Sequence, residues 1–153
     1  MMRSTVSQQW HGEEVKIRGK KVVGKSAYEI GLVVEGQAKE LCPVDTGRLA
    51  GSITTQSSSE GTSPKSPATS SDVIQKPQDA MEVIVGTPVE YGPHIEFGTI
   101  HMDAQPFLRP ALQLAQGKVV TIVERNAKMH FKQYLLEHDE YLKRRAAESR
   151  GVV

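Results

Sequence analysis

KKVVGKSAYEIGLVVEGQAKELCPVDTG, residues 20–47, decides the fold. Val23, Ala27, Ile30, Val34, Ala38 and Leu41 recur at steps of three and four, which lays one apolar stripe along a helix. Gly24, Gly31 and Gly36 each weaken such a helix by about 1 kcal/mol relative to Ala. The helix must therefore lean on tertiary packing, or let another backbone come close. Pro43 ends it, because proline has no N–H to donate and disfavours helical geometry at Cys42. A long helix running straight into a turn excludes an all-β chain.

Upstream, a polar lead gives way to Val15-Lys16-Ile17-Arg18-Gly19, whose alternation predicts a short edge strand. Downstream, Leu49, Gly51, Ile53 and Thr55 alternate with polar residues and predict a second strand. From Ser57 to Ser71 the chain has seven Ser, two Thr, two Pro and one Gly, with Ala68 the only apolar residue. Such a segment buries too little surface to offset its ordering entropy, so residues 57–78 read as a long mobile hairpin loop. AMEVIVG, residues 80–86, resumes as a strand with Met81, Val83 and Val85 on one face.

TPVEYGPHIEFGTIHMDAQPFLRPAL, residues 87–112, is rich in Gly and Pro yet holds two of the three Phe and one of the four Tyr. Aromatics among breakers suggest an ordered connection that plugs against the core. Pro106 and Pro110 suit the first turn of a helix, which is expected to run to about Arg145. Its predicted stripe is Leu112, Ala115, Val119 and Ile122, continued by Val123, Ala127, Phe131, Tyr134 or Leu135, and His138. The expectation is an α+β fold: a long N-terminal helix, an antiparallel hairpin with a long mobile loop, and a long C-terminal helix. Residues 1–14 are read as a flexible leader, 15–146 as a single domain and 147–153 as a flexible tail.

Composition bounds the function. The chain has 153 residues, enough for one modest core, and 19 Lys and Arg against 18 Asp and Glu. That balance supplies no overall field to attract DNA or an anionic membrane. With 5% aromatic residues and one Trp, large stacking surfaces for bases or sugars are not available. Cys42 is the only cysteine, which excludes an internal disulfide and a cysteine-based zinc site. No stretch reads as a secretory signal or a membrane span, so a soluble chain made in the cytoplasm is expected.

Two places could carry chemistry. Asp45-Thr46-Gly47 is the tripeptide in which aspartic proteases hold their catalytic carboxylate. Two such carboxylates must share one proton, so a homodimer would have to supply the second, with Val83 to Gly86 as the apolar stretch beside it. Against this stand the long helices, Pro43 at the approach, and Arg48, whose charge would keep Asp45 ionised. The alternative is a turn: Asp45 and Thr46 bond nearby amides and Gly47 takes a positive φ to launch the strand. The second place is His94, Glu96, His101 and Asp103, the one cluster with metal-capable side chains. Its spacing fits no helical metal motif, and Asp103 is well placed to cap the following helix instead. Near the C-terminus Lys143, Arg144, Arg145 and Arg150 interleave with acids, with Glu140 and Arg144 four apart, which suits a solvated helix face.

CPVDTGRLAGSI (42–53), VGTPVEYGPHIEFGT (85–99) and AQPFLRPAL (104–112) together resemble, in order and spacing, a tail-component family of tailed phages. That family is typified by the tenth gene product of a lambdoid phage, and its members are also described as neck, tail-completion or minor tail proteins. In it a helix leads to a Pro-Val-Asp-Thr-Gly-x-Leu turn, then a variable hairpin loop. A Glu-Tyr-x-x-x-x-Glu-Phe-Gly-Thr segment follows, and Pro-Phe-Leu-x-Pro-Ala precedes the last helix. The matching positions are Pro43, Asp45, Thr46, Gly47, Leu49, Ile53, Tyr91, Glu96, Phe97, Gly98, Pro106, Phe107 and Pro110. This sequence departs from the pattern in its leader, its helix glycines and its long Ser/Thr/Pro loop. The resemblance implies a phage or prophage virion component of the head–tail junction, with no enzymatic activity and no cofactor. Its expected partners are copies of itself in a ring, together with head-connector and tail proteins. DNA would be nearby without sequence-specific contact, and no membrane or small-molecule substrate is expected. The expected location is the host cytoplasm during assembly, then the virion.

Overall fold

A computed structural model describes residues 12–62, 74 and 76–149. Helix α1 spans Gly12–Leu41 and a short α2 spans Arg48–Ser52. Strands β1 (Thr54–Ser57) and β2 (Val83–Gly86) follow, then α3 (Gly92–Phe97) and the 42-residue α4 (Leu108–Ser149). The fold is α+β: two long helices carry a two-stranded antiparallel sheet in which Thr54 faces Gly86 and Ser57 faces Val83.

The helices lie antiparallel. Glu29 meets Arg125 and Ser26 meets Asn126, while nearer the open end Arg18 meets Glu137 at 3.0 Å. Close approach is where the helix glycines act. A Cβ at Gly31 would sit 2.7 Å from both Thr55 and Val83 side-chain carbons, and one at Gly24 would strike the Ala80 carbonyl oxygen. Those two glycines let the hairpin rest on α1; Gly36 faces open space.

Several expectations are corrected. Residues 15–19 are not an edge strand but part of α1, which already starts at Gly12, so 12–14 are helical and not leader. Residues 49–52 are helical, and the strand begins only at Thr54. Leu49 and Ile53, both buried, are four apart and so satisfy a helical period as well as a strand period. The segment read as mobile from residue 57 starts as a tight turn. Ser57 N–H donates to the Glu60 carbonyl at 2.7 Å, and Thr62 N–H returns to the Thr55 carbonyl at 2.8 Å. At its other end Pro77 is buried, and residues 63–73 and 75 of that expectation lie outside the described residues. Met81 sits in the turn before β2, which is shorter than expected. Helix α4 continues to Ser149, so 147–149 belong to it; residues 1–11 and 150–153 lie outside the described residues.

The core is one cluster: Val34, Ala38 and Cys42 from the end of α1, Leu49 and Ile53, Val89, then Phe107, Ala111 and Ala115 at the start of α4. Along α4 the buried face is Ala111, Ala115, Ile122 and Asn126. Leu112, Val123, Phe131 and Leu135, placed on the predicted stripe, are exposed.

Candidate functional site

The three sequence blocks converge on one joint, where α2, the 87–107 connection and the start of α4 meet. Helix α4 begins at Leu108, and the first four N–H positions of a helix have no partner inside it. Here they fall on Phe107, Leu108, Arg109 and Pro110. The Glu96 carboxylate accepts from Phe107 N–H at 2.8 Å, Leu108 N–H at 3.0 Å and Arg109 N–H at 3.1 Å. Pro110 has no N–H to satisfy, so the whole first turn is accounted for. Glu96 is buried. Burial pushes its carboxyl up, but the three N–H bonds and the nearby Arg109 charge more than offset that and hold it below its ordinary value.

Backbone geometry delivers Glu96 to that position. Gly92 is buried, and a Cβ there would meet Thr87 at 2.8 Å. Ile95 carbonyl accepts from Gln105 N–H at 2.8 Å, which ties α3 to the run-in of α4. Gly98 closes α3 at φ 76°, ψ 177°, a conformation open essentially to glycine alone. A Cβ at Gly98 would also press on Ala104 N at 2.8 Å and Met102 O at 2.9 Å. The chain then reverses through Thr99–Met102, leaving Ile100 93% exposed at the tip. Arg109 stacks over the Phe97 ring at 4.6 Å.

The Asp-Thr-Gly turn belongs to the same joint. Gly47 has φ 74° and ψ 0° and launches α2 rather than a strand. Asp45 and Thr46 are exposed. Thr46 Oγ1 accepts a long 3.5 Å bond from Arg48 N–H, but no side chain caps α2, so Asp45 does not bond the turn amides as expected. Ser52 then links α2 to the chain leaving β2, with its Oγ 2.6 Å from Thr87 Oγ1. Cys42, beside the turn, is buried in the core, and burial pushes its thiol up.

No family model, curated protein or solved structure matches this chain.

The metal-capable residues are not brought together. His94, His101 and Asp103 are exposed and Glu96 is committed to amides, and among the described residues no three His, Cys, Asp or Glu gather as metal ligands. The expected cap Asp103 is replaced by Glu96. In the basic C-terminal stretch, the ion pair among the described residues is Lys143 with Asp139 at 2.8 Å. No helix among the described residues is long and apolar enough to cross a membrane.

Sequence reasoning missed a polar group inside the helix pair. Asn126 is fully buried and donates from Nδ2 to Ser26 Oγ (3.2 Å) and Glu29 Oε2 (3.0 Å). Arg125 reaches the same Glu29 oxygen at 2.6 Å. Burial raises the Glu29 carboxyl, but the Asn126 and Arg125 bonds bring it below its usual value. Asn126 Oδ1 accepts no hydrogen bond from the described residues. Glu35, buried on α1, takes Lys39 and the Thr62 hydroxyl, so the turn after β1 is fastened to the same helix.

Proposed function

We propose that this chain is a structural component of a tailed-phage or prophage virion, a neck, tail-completion or minor tail protein at the head–tail junction. It works by packing against other subunits, not by making or breaking bonds. One observation carries the reading. Six residues of the three family-like blocks hold the chain together: Leu49, Ile53 and Phe107 in a single core, Glu96 on three amides, and Gly47 and Gly98 at the two turns with positive φ. A carboxylate held ready for catalysis would face a cleft; here the buried one, Glu96, is taken up by amides, while Leu49, Ile53 and Phe107 are core.

The surfaces left over suit assembly. Among the described residues β2 pairs only with β1, which leaves a strand edge available. Large apolar side chains such as Phe97, Ile100, Phe131 and Leu136 stand exposed. Neighbouring copies, head-connector proteins and tail proteins are the partners in this reading, with the strand edge and helix faces meeting around a channel. The near-neutral charge fits proximity to DNA without sequence readout. Assembly would start in the host cytoplasm and end in the virion.

Purified particles of the encoding phage test the proposal. Quantitative mass spectrometry should find the chain at fixed stoichiometry, and labelled electron micrographs should place it where head meets tail. Absence from the particle would overturn the reading, as would a hydrolase activity that disappears in Asp45→Asn with the fold intact.

A further inference from the structure

Helix α1 carries a basic run near its start. Between Val15 and Tyr28 stand Lys16, Arg18, Lys20, Lys21 and Lys25, with no acidic residue among them. Lys16 meets Glu13 at 4.0 Å and Arg18 meets Glu137 at 3.0 Å. Lys20, Lys21 and Lys25 are exposed and make no ion pair among the described residues. All three line one open cleft of about 720 Å³ between α1 and the turn that follows β1. Tyr28 of α1 and Ser58 and Ser59 of the turn line it as well, and their hydroxyls make no hydrogen bond among the described residues. Burial, then the Glu60 and Glu35 carboxylates, push the Tyr28 phenol up, so it keeps its proton and can donate.

Two acids share the lining, Glu29 and Glu60. Glu29 is taken by Arg125 and Asn126. Three unpaired ammonium groups therefore face one unpaired carboxylate. A near-neutral chain can present such a patch, because charges act mainly within a Debye length, about 8–10 Å at cellular ionic strength. The donor set suits phosphate. Lysine binds phosphate as a point charge, without the fixed two-pronged geometry that arginine imposes. Among the described residues no arginine lines the cleft, so a chain of phosphates can pass in any register. Serine and tyrosine hydroxyls are common phosphate partners. Lys21 and Lys25 stand about one helical turn apart, roughly 6 Å along the axis, close to the step between neighbouring phosphates of one strand. The described lining also holds no Asn or Gln to read base edges.

We propose that this cleft binds the phosphate backbone of duplex DNA without regard to sequence. Lys20, Lys21 and Lys25 are the cationic contacts, and Tyr28, Ser58 and Ser59 donate hydroxyls to phosphate oxygens. The choice of polyanion rests on the head–tail reading, which puts DNA nearby, and the inference adds to that reading the surface that touches it.

Isotope-labelled chain titrated with two short duplexes of unrelated sequence tests this by NMR, which reports affinity and location together. Backbone amides of residues 20–25 and 57–60 should shift most, and both duplexes should bind alike. Three phosphate contacts imply an affinity that falls about 40-fold between about 50 and 200 mM salt. Changing Lys20, Lys21 and Lys25 together to Gln keeps helix propensity. It should weaken binding at least about tenfold at the lower salt and remove most of the salt dependence. The same exchange at Lys118, Lys128 and Lys132, exposed on α4 and equal in charge, should leave affinity within about twofold. Glu60→Gln, which removes the remaining carboxylate, should tighten binding, and a poly-glutamate peptide should bind more weakly than DNA. Circular dichroism should be the same for all variants. Duplexes that shift nothing, or shift residues elsewhere, overturn the proposal. So do a Lys20, Lys21 and Lys25 variant that binds like the native chain, a control variant that loses as much, and a Glu60→Gln variant that binds no tighter. Poly-glutamate that binds as tightly as DNA assigns the cleft to an acidic protein instead, and overturns it too. None of these results bears on whether the chain is found in virions, so the two readings fail separately.

Discussion

Glu96 carries the most at the scale of single residues. Replacing it by Ala leaves three N–H groups at the start of α4 without a partner, at about 1–3 kcal/mol for each that stays buried. Glu96→Gln keeps an acceptor but loses the charge, and is expected to cost about 1–2 kcal/mol. Urea unfolding at neutral pH measures both. The sign with pH is fixed: the folded carboxyl lies below its ordinary value of 4.5, so its contribution is complete above that value and is lost as pH falls through the folded pKa. Glu96→Gln should flatten that acid limb. The two positive-φ glycines should separate cleanly. Gly47 has open space around it, so Gly47→Ala meets only the backbone preference, about 1–2 kcal/mol. Gly98→Ala adds a clash with Ala104 and Met102 backbone and should cost clearly more. Asp45→Asn should change stability by less than about 0.5 kcal/mol, since the exposed side chain caps nothing. Gly47 was legible as a turn glycine. The Glu96 cap was not, because its donors lie 11 to 13 residues away and no local pattern announces them.

For whole elements, α4 shows where periodicity runs out. Its sequence offers two apolar stripes, and a period of 3.6 says only that each is a face, not which face is covered. The buried one is built largely from Ala111 and Ala115, whose small side chains let α1 come near, and it includes a polar Asn126 that a search for apolar positions passes over. The larger, greasier stripe stays outside. Asn126→Asp is the sharp test of the inner face. It sets a second carboxylate 3.0 Å from Glu29 in a buried place, so at pH 7 the helix pair should lose about 3 kcal/mol or more. Part of that loss should return as the pH falls and one carboxyl takes up a proton, opposite in sign to the native chain's acid response. Urea midpoints at pH 7 and pH 4 would show the reversal. In the N-terminal part, Val15 to Gly19 alternate as a strand would. The helix wins there because α1 packs along α4 to its open end, where Arg18 pairs with Glu137 and lies over Tyr134 at 5.0 Å.

Taken as one molecule, the order helix, hairpin, helix was readable because Gly, Pro and Ser runs punctuate the sequence sharply. The way those parts fasten was not, since the fastenings are side-chain bonds between segments far apart in the chain: Ser52 to Thr87, Thr62 to Glu35, Asn126 to Ser26. If copies assemble as proposed, folding and association are linked, and the melting temperature should rise with protein concentration. Scanning calorimetry over a hundredfold range of concentration would show the rise. The position of Glu96 has a consequence for biosynthesis. A ribosome delivers this carboxylate before any residue of the helix that it starts. The anchor is therefore already waiting when the last third of the polypeptide emerges. A fragment beginning at Phe107 would have no such anchor, and its leading turn would unravel in solution.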